Sequence, residues 1–305
     1  MRTAFIEQLI VEARKKPKLF LVVGDLGFSV VEPFAAEFPD RFLNAGVAEQ
    51  NMTGVAAGLA SEGYHVFTYS IGNFPTLRCL EQIRNDICYH NLPVTVVAVG
   101  AGMAYGNLGY SHHCVHDIGA LRGLPGITIL SPADPGETRQ CVSWLSENPG
   151  PSYLRLGKAG EPTIHHQPVN LDSPTCIAEC GGEVAIVGTG SILSEAIEAS
   201  KLLAKRGIMV DVFSLTNLTP TCKDYFTPLH KFTRILTVEE HVTAGGIGEM
   251  LGSVLDRRTQ VRSITIPQSF CSVVGSQKML RTASKLSASE FAQTIVDWGS
   301  NERQQ

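Results

Sequence analysis

The stretch N-A-G-V-A-E-Q-N, Asn44–Asn51, runs straight into M-T-G-V-A-A-G-L-A at residues 52–60. The second piece is an almost wholly apolar helix of small residues, and the first places a single carboxylate, Glu49, at its mouth. Acids favour helix starts electrostatically, so a dipole partner or cap is one reading. The other is a functional carboxylate in an apolar, dry setting, where its proton affinity is raised. Gly54 and Gly58, four apart, leave a smooth face on which another backbone can approach closely, within the chain or between subunits.

Around this stretch the composition is that of a globular α/β chain. Of 305 residues, 44% are hydrophobic and 18% charged, enough for two domains with sizeable cores. The net charge is −4 with no basic run, which argues against nucleic acid or an anionic membrane surface as partner. M-R-T-A-F-I-E-Q lacks the apolar run of a signal peptide, and no window approaches the roughly 20 apolar residues of a membrane span. Eight cysteines are scattered singly, without C-x-x-C or zinc spacing, so reduced thiols and a cytoplasmic location are expected.

A helical period over Arg2–Lys15 precedes the apolar run Leu19–Val23, typical of a buried parallel strand. It ends in G-D-L-G, residues 24–27, where an open α/β sheet places ligands; a plain turn satisfied by Asp25 is the alternative. Strands are expected over Arg41–Asn44, Tyr64–Ser70, Val94–Val99 and Ile127–Leu130, with a helix over Cys79–Cys88. Between Val99 and Asp117 runs a glycine-rich loop holding His112, His113 and His116. A metal site there lacks an evident third ligand, so proton handling in a cleft is favoured. S-P-A-D-P-G-E-T starts a helix with capping signals, and Tyr153–Lys158 closes the first domain.

The Pro-rich stretch that follows reads as a linker, with His165 and His166 on a surface loop. A second strand–helix series begins at Glu183–Gly188 and continues through Ile208–Phe213, Thr233–Val238 and Val261–Ile266 to a closing helix at Ser287–Trp298. T-G-S at 189–191 is a weak phosphate cradle. E-E-H at 239–241 lies at the carboxyl edge of this second sheet. The expected division is 1–160, a linker over 161–181, and 182–305.

Taken in order, G-D-L-G, G-V-A-E-Q-N-M, F-P-T-L-R-C-L-E-Q-I-R, S-H-H with D-I and L-R-x-L-P-G, L-S-P-A-D, Y-L-R-L-G, V-G-T-G-S and V-E-E-H with G-G-I-G resemble the transketolase family of thiamine diphosphate enzymes. The resemblance covers nearly the whole chain. It implies two doubly wound α/β domains with mainly parallel sheets, a pyrimidine-binding domain followed by a transketolase C-terminal domain. No G-D-G with downstream asparagines is found for magnesium and the diphosphate. The resemblance therefore implies one half of a split transketolase, an α2β2 heterotetramer in which an N-terminal subunit holds Mg2+.

On the same basis, a glutamate at the Glu49 position hydrogen-bonds a pyrimidine nitrogen and favours the tautomer that removes the thiazolium proton. Phe74 is the first choice for the ring stacked on the pyrimidine, with Phe67 and Tyr69 behind it, core packing being the favoured reading of Phe67. Asp25 and Leu26 match positions near the cofactor, His112 meets the substrate, and Arg155 holds a sugar phosphate, unless it serves an interdomain salt bridge. Two departures bear on the substrate: Leu108 stands where an aspartate contacts a donor hydroxyl, and Ser111-His112-His113 replaces T-H-Q. A buried hydroxyl left without a partner costs about 1–3 kcal/mol, so Leu108 and His113 point away from the usual xylulose donor. The expected reaction is transfer of a two-carbon ketol unit between sugar phosphates. The alternative is a decarboxylating relative, deoxyxylulose phosphate synthase-like or the beta subunit of a 2-oxo acid dehydrogenase. A non-catalytic subunit retaining the fold is the third reading, disfavoured by Glu49 and His112.

Overall fold

The computed structural model describes residues 1–165, 169–222 and 224–301. Six apolar runs form one sheet: Leu19–Val23 (β1), Phe42–Asn44 (β2), His65–Ile71 (β3), Val94–Val99 (β4), Thr128–Leu130 (β5) and Ser152–Leu156 (β6). Their order is β2-β1-β3-β4-β6-β5, and every pairing is parallel. Parallel strands need crossovers, so helices cover both faces and the strands are apolar on both sides.

Strand parity sorts those sides. Val22, Val66, Val96 and Ala98 pack with Met52, Ala56 and Ala60 of the Glu49–Ser61 helix. Their neighbours Val23, Phe67, Tyr69, Val97 and Val99 face the opposite layer, with Phe5 and Leu9 of the Arg2–Lys15 helix and Leu145 of the Pro135–Glu147 helix. The last helix starts as its sequence signals: Asp134 accepts from the Glu137 N–H at 2.7 Å and Pro135 takes the first position.

The second sheet contains Thr175–Ala178 (β7), Val184–Gly188 (β8), Val210–Ser214 (β9), Arg234–Val242 (β10) and Gln260–Ile266 (β11). Its order is β11-β10-β8-β9-β7, parallel except for β7, which runs antiparallel along β9. Strand β7 falls inside the stretch read as linker; it is four residues long with only partial burial, too faint a pattern to separate from coil.

The sheets are joined by polar contacts. Ser131 N–H donates to Thr216 O at 2.8 Å and Val242 N–H to Val115 O at 3.0 Å. Glu137, fully buried, accepts from the hydroxyls of Ser214 and Thr216, both at 2.7 Å. Gly119 and Gly245 meet backbone to backbone: a Cβ on Gly245 would lie 2.4 Å from the Gly119 Cα.

His165 corrects the sequence reading. Its side chain is only 5% exposed and lies 3.4 Å from both Asp134 and Glu137. Burial opposes its protonation, but these two carboxylates overcome that and raise its proton affinity. The reading went astray because the partners stand on another element. His166 lies outside the described residues.

Candidate active site

Because β1 to β4 run parallel, the loops after them share one edge. The turn after β1 carries Asp25, exposed and with φ +54°, held by Asn44 at the end of β2. Asn44 Nδ2 donates to Asp25 Oδ1 at 2.9 Å, and Asn44 Oδ1 accepts from the Asp25 and Gly46 N–H groups at 3.0 Å. Leu26 is partly buried on the core beside it.

This clasp leads into Glu49. The carboxylate is 2% exposed and makes no cap hydrogen bond, so it is not the helix cap that was one of its readings. Nor is its setting wholly apolar as expected, because Arg78 Nη1 donates to Glu49 Oε2 at 2.5 Å. Gly24 packs beside it: a Cβ there would stand 3.7 Å from Glu49 Cγ and 3.4 Å from Ser70 Oγ, in ordinary contact with both. Ser70 Oγ and Thr68 Oγ1, both buried, have no hydrogen-bond partner. An acid near the orphaned Ser70 hydroxyl fits a ligand with a polar edge.

The loop after β3 supplies Phe74. Its ring is half-buried, with the Arg78 guanidinium 4.7 Å from its centre and the His112 ring meeting it edge-on at 5.2 Å. Asn73 Nδ2 donates to Ser111 O at 3.2 Å, tying this loop to the one bearing His112. Glu49, Arg78, Phe74 and His112 thus form one continuous line. His112 is half-buried with Nδ1 3.0 Å from Ser111 Oγ. His113 is 4% exposed, its Nε2 has no partner, and burial lowers its proton affinity. Leu108 stands half-exposed in a turn. Phe28, Val47 and Leu77, in the same turns, expose apolar side chains.

Three expected site residues are elsewhere. Phe67 and Tyr69 are fully buried on the other face of β3, packed on Phe5 at 6.4 Å and 5.6 Å between ring centres. Side chains alternate along a strand, so these two rings face away from the layer that holds the Glu49 helix. Arg155 is 2% exposed and turned inward. Its Nε donates to Asp117 Oδ2 at 2.7 Å, and its Nη2 to Cys114 O at 2.8 Å and Glu240 O at 3.1 Å. Burial pushes the Asp117 carboxyl up, but the charges of Arg155 and His241 outweigh it and hold Asp117 below its usual range. The salt bridge lies within the first domain, not between domains as the alternative had it, and only the hydrogen bond to Glu240 O crosses to the second; so enclosed, the guanidinium does not stand free as a phosphate clamp. The second sheet contributes Glu240, which accepts from Arg281 at 2.7 Å and Gln277 at 2.9 Å. Arg78 had no place in the sequence reading, although it falls four residues after Phe74.

A parallel α/β domain that offers an acid and an aromatic ring at its carboxyl edge, joined to a second α/β domain, is the form of the transketolase pyrimidine-binding and C-terminal pair. Residues 1–161 match the transketolase pyrimidine-binding domain and residues 176–297 the transketolase C-terminal domain. The chain belongs to the transketolase family. It is 34% identical over 257 residues to one subunit of the apulose-4-phosphate transketolase of Actinobacillus succinogenes, covering 82% of this chain and 81% of that one. It is 33% identical over 268 residues to 1-deoxy-D-xylulose-5-phosphate synthase 1 of Geobacter sulfurreducens, covering 85% of this chain and 41% of that one. A solved structure titled split gene transketolase, inactive beta4 tetramer, superposes with a TM-score of 0.87 at 31% identity over 97% of each chain. Among the described residues no helix is long and apolar enough to cross a membrane.

Proposed function

We propose that the chain is the pyrimidine-binding half of a thiamine diphosphate-dependent transketolase that moves a two-carbon ketol unit between sugar phosphates. The observation that carries this is Glu49: a buried acid that caps nothing, near an orphaned hydroxyl, one short chain of contacts from a half-buried ring and a histidine. When bound, thiamine diphosphate supplies a thiazolium that serves as electron sink. Glu49 holds the proton shared with the pyrimidine edge, Phe74 gives the ring face, and His112 meets the oxygen of the reacting sugar. Residues 1–160 form the pyrimidine-binding domain, and the C-terminal domain begins with β7, Thr175–Ala178, not at 182.

A separate N-terminal subunit holds the diphosphate and Mg2+, and two copies of each chain assemble as α2β2. Phe28, Val47 and Leu77, exposed beside the site, suit cover by another chain. The name of the A. succinogenes relative supports a sugar phosphate substrate and a subunit role. A second reading, a decarboxylating relative that accepts pyruvate, is favoured by the G. sulfurreducens similarity and by Leu108.

The test is calorimetry of thiamine diphosphate with Mg2+ on this chain alone and with its co-expressed partner, followed by turnover with ketose phosphates and with pyruvate. Binding only in the pair, and ketol transfer without carbon dioxide release, is expected. Release of carbon dioxide from pyruvate selects the second reading, and absence of binding in the pair refutes both.

A further inference from the structure

Arg78 touches both groups on which the proposed function turns. Its Nη1 donates to Glu49 Oε2, and its guanidinium carbon lies over the Phe74 ring. Its backbone carbonyl accepts from Gln50 Nε2 at 3.1 Å, in the first turn of the Glu49 helix. Among the described residues no other side chain donates to the Glu49 carboxylate, so Oε1 is left open. The pair is asymmetric, with Glu49 2% exposed and Arg78 46%. A carboxylate that deep is stable only beside a compensating charge. A guanidinium suits both contacts, because its edge donates in plane while its face lies flat on an aromatic ring.

We propose that Arg78 is a positioning residue for Glu49 and Phe74: it holds one carboxylate oxygen and covers one side of the ring, leaving Oε1 and the rest of the ring for the pyrimidine. This rests on the function proposed above. Arg78 acts through the other two groups and takes no part in bond making.

A four-variant cycle tests it on the assembled complex, with thiamine diphosphate and Mg2+ as the probe in calorimetry. Arg78→Met keeps a long apolar stem over Phe74 and removes the donor and the charge. It is expected to weaken binding about tenfold, and less than about twofold in a Glu49→Gln background, since residues in contact are not additive. Arg78→Lys, which restores the charge, is expected to recover part of the loss. Equal losses in both backgrounds, or no loss from Arg78→Met alone, overturn the proposal. A wild-type complex that binds no thiamine diphosphate refutes the function itself, a result distinct from either. Thermal midpoints of the same four chains without partner or cofactor give an independent reading. Recovery of the Arg78→Met loss by Glu49→Gln supports the pairing, and additive losses overturn it.

Discussion

Arg155→Met tests the reassignment of the arginine that the sequence reading gave to a sugar phosphate. The substitution removes four hydrogen bonds of 2.7–3.4 Å, two to Asp117 and one each to Cys114 and Glu240. It also leaves Asp117, 0% exposed, without an ion-pair partner, the Tyr153 hydroxyl being its remaining side-chain donor. Neither partner is screened by water, so the cost lies in the range for breaking a buried pair, about 3–5 kcal/mol. For a protein of this size that corresponds to a fall of about 5–8 °C in thermal midpoint. Urea unfolding and thermal melting of the purified chain measure it. Replacing both partners, Arg155→Met with Asp117→Asn, should recover part of the loss, because no lone charge is then buried. A fall of less than about 2 °C, together with a raised KM confined to phosphorylated substrates, would refute the argument and restore a phosphate role.

Three further outcomes are expected. Glu49→Gln should leave the complex folded while thiamine-dependent turnover drops by about 10²–10⁴-fold, the scale of a lost proton-transfer group, and near-normal turnover would sink the role. Glu239 is buried, and burial, opposed by the Ile247 and Gly248 N–H groups, lifts its carboxyl to about 7. A raised carboxyl contributes stability that is full below the ordinary value of 4.5 and lost as pH rises through 7. Over that window the wild type should lose about 3 kcal/mol relative to Glu239→Gln in urea unfolding, and parallel pH profiles would contradict it. Gly245→Ala sets a side chain at φ +72° against Gly119 and should cost at least about 2 kcal/mol. The control Gly252→Ala, with open space and a helical backbone, should gain up to about 1 kcal/mol in the same melting assay.

The parts of this molecule legible in the sequence are those fixed by local pattern. Runs such as Leu19–Val23 and Val94–Val99 are apolar on both faces, and only a strand covered on both sides uses such a run. Glu49 was legible because one acid stands before a featureless helix. The inward turn of Arg155 was not, because Asp117 is 38 residues away and only the fold sets them face to face. His165 failed for the same reason, its carboxylates lying on the helix that begins at Pro135. Phe67 and Tyr69 differ: they share parity in one strand, so they were bound to fall on one face together, but which face needed the position of Arg2–Lys15. Arg78 had a signal in its spacing from Phe74, without the contact that gives it meaning.

Glu137 carries a consequence for how the chain is made. Its two hydroxyl partners follow 77 and 79 residues later. At ordinary rates of synthesis that interval lasts about 4–15 s, during which the acid has only the Ala133 N–H and His165 among its folded partners. Until Thr216 has left the ribosome, the Oε1 atom of that carboxylate lacks both hydroxyls that donate to it in the folded chain. The second half therefore supplies the last hydrogen bonds of a helix that belongs to the first.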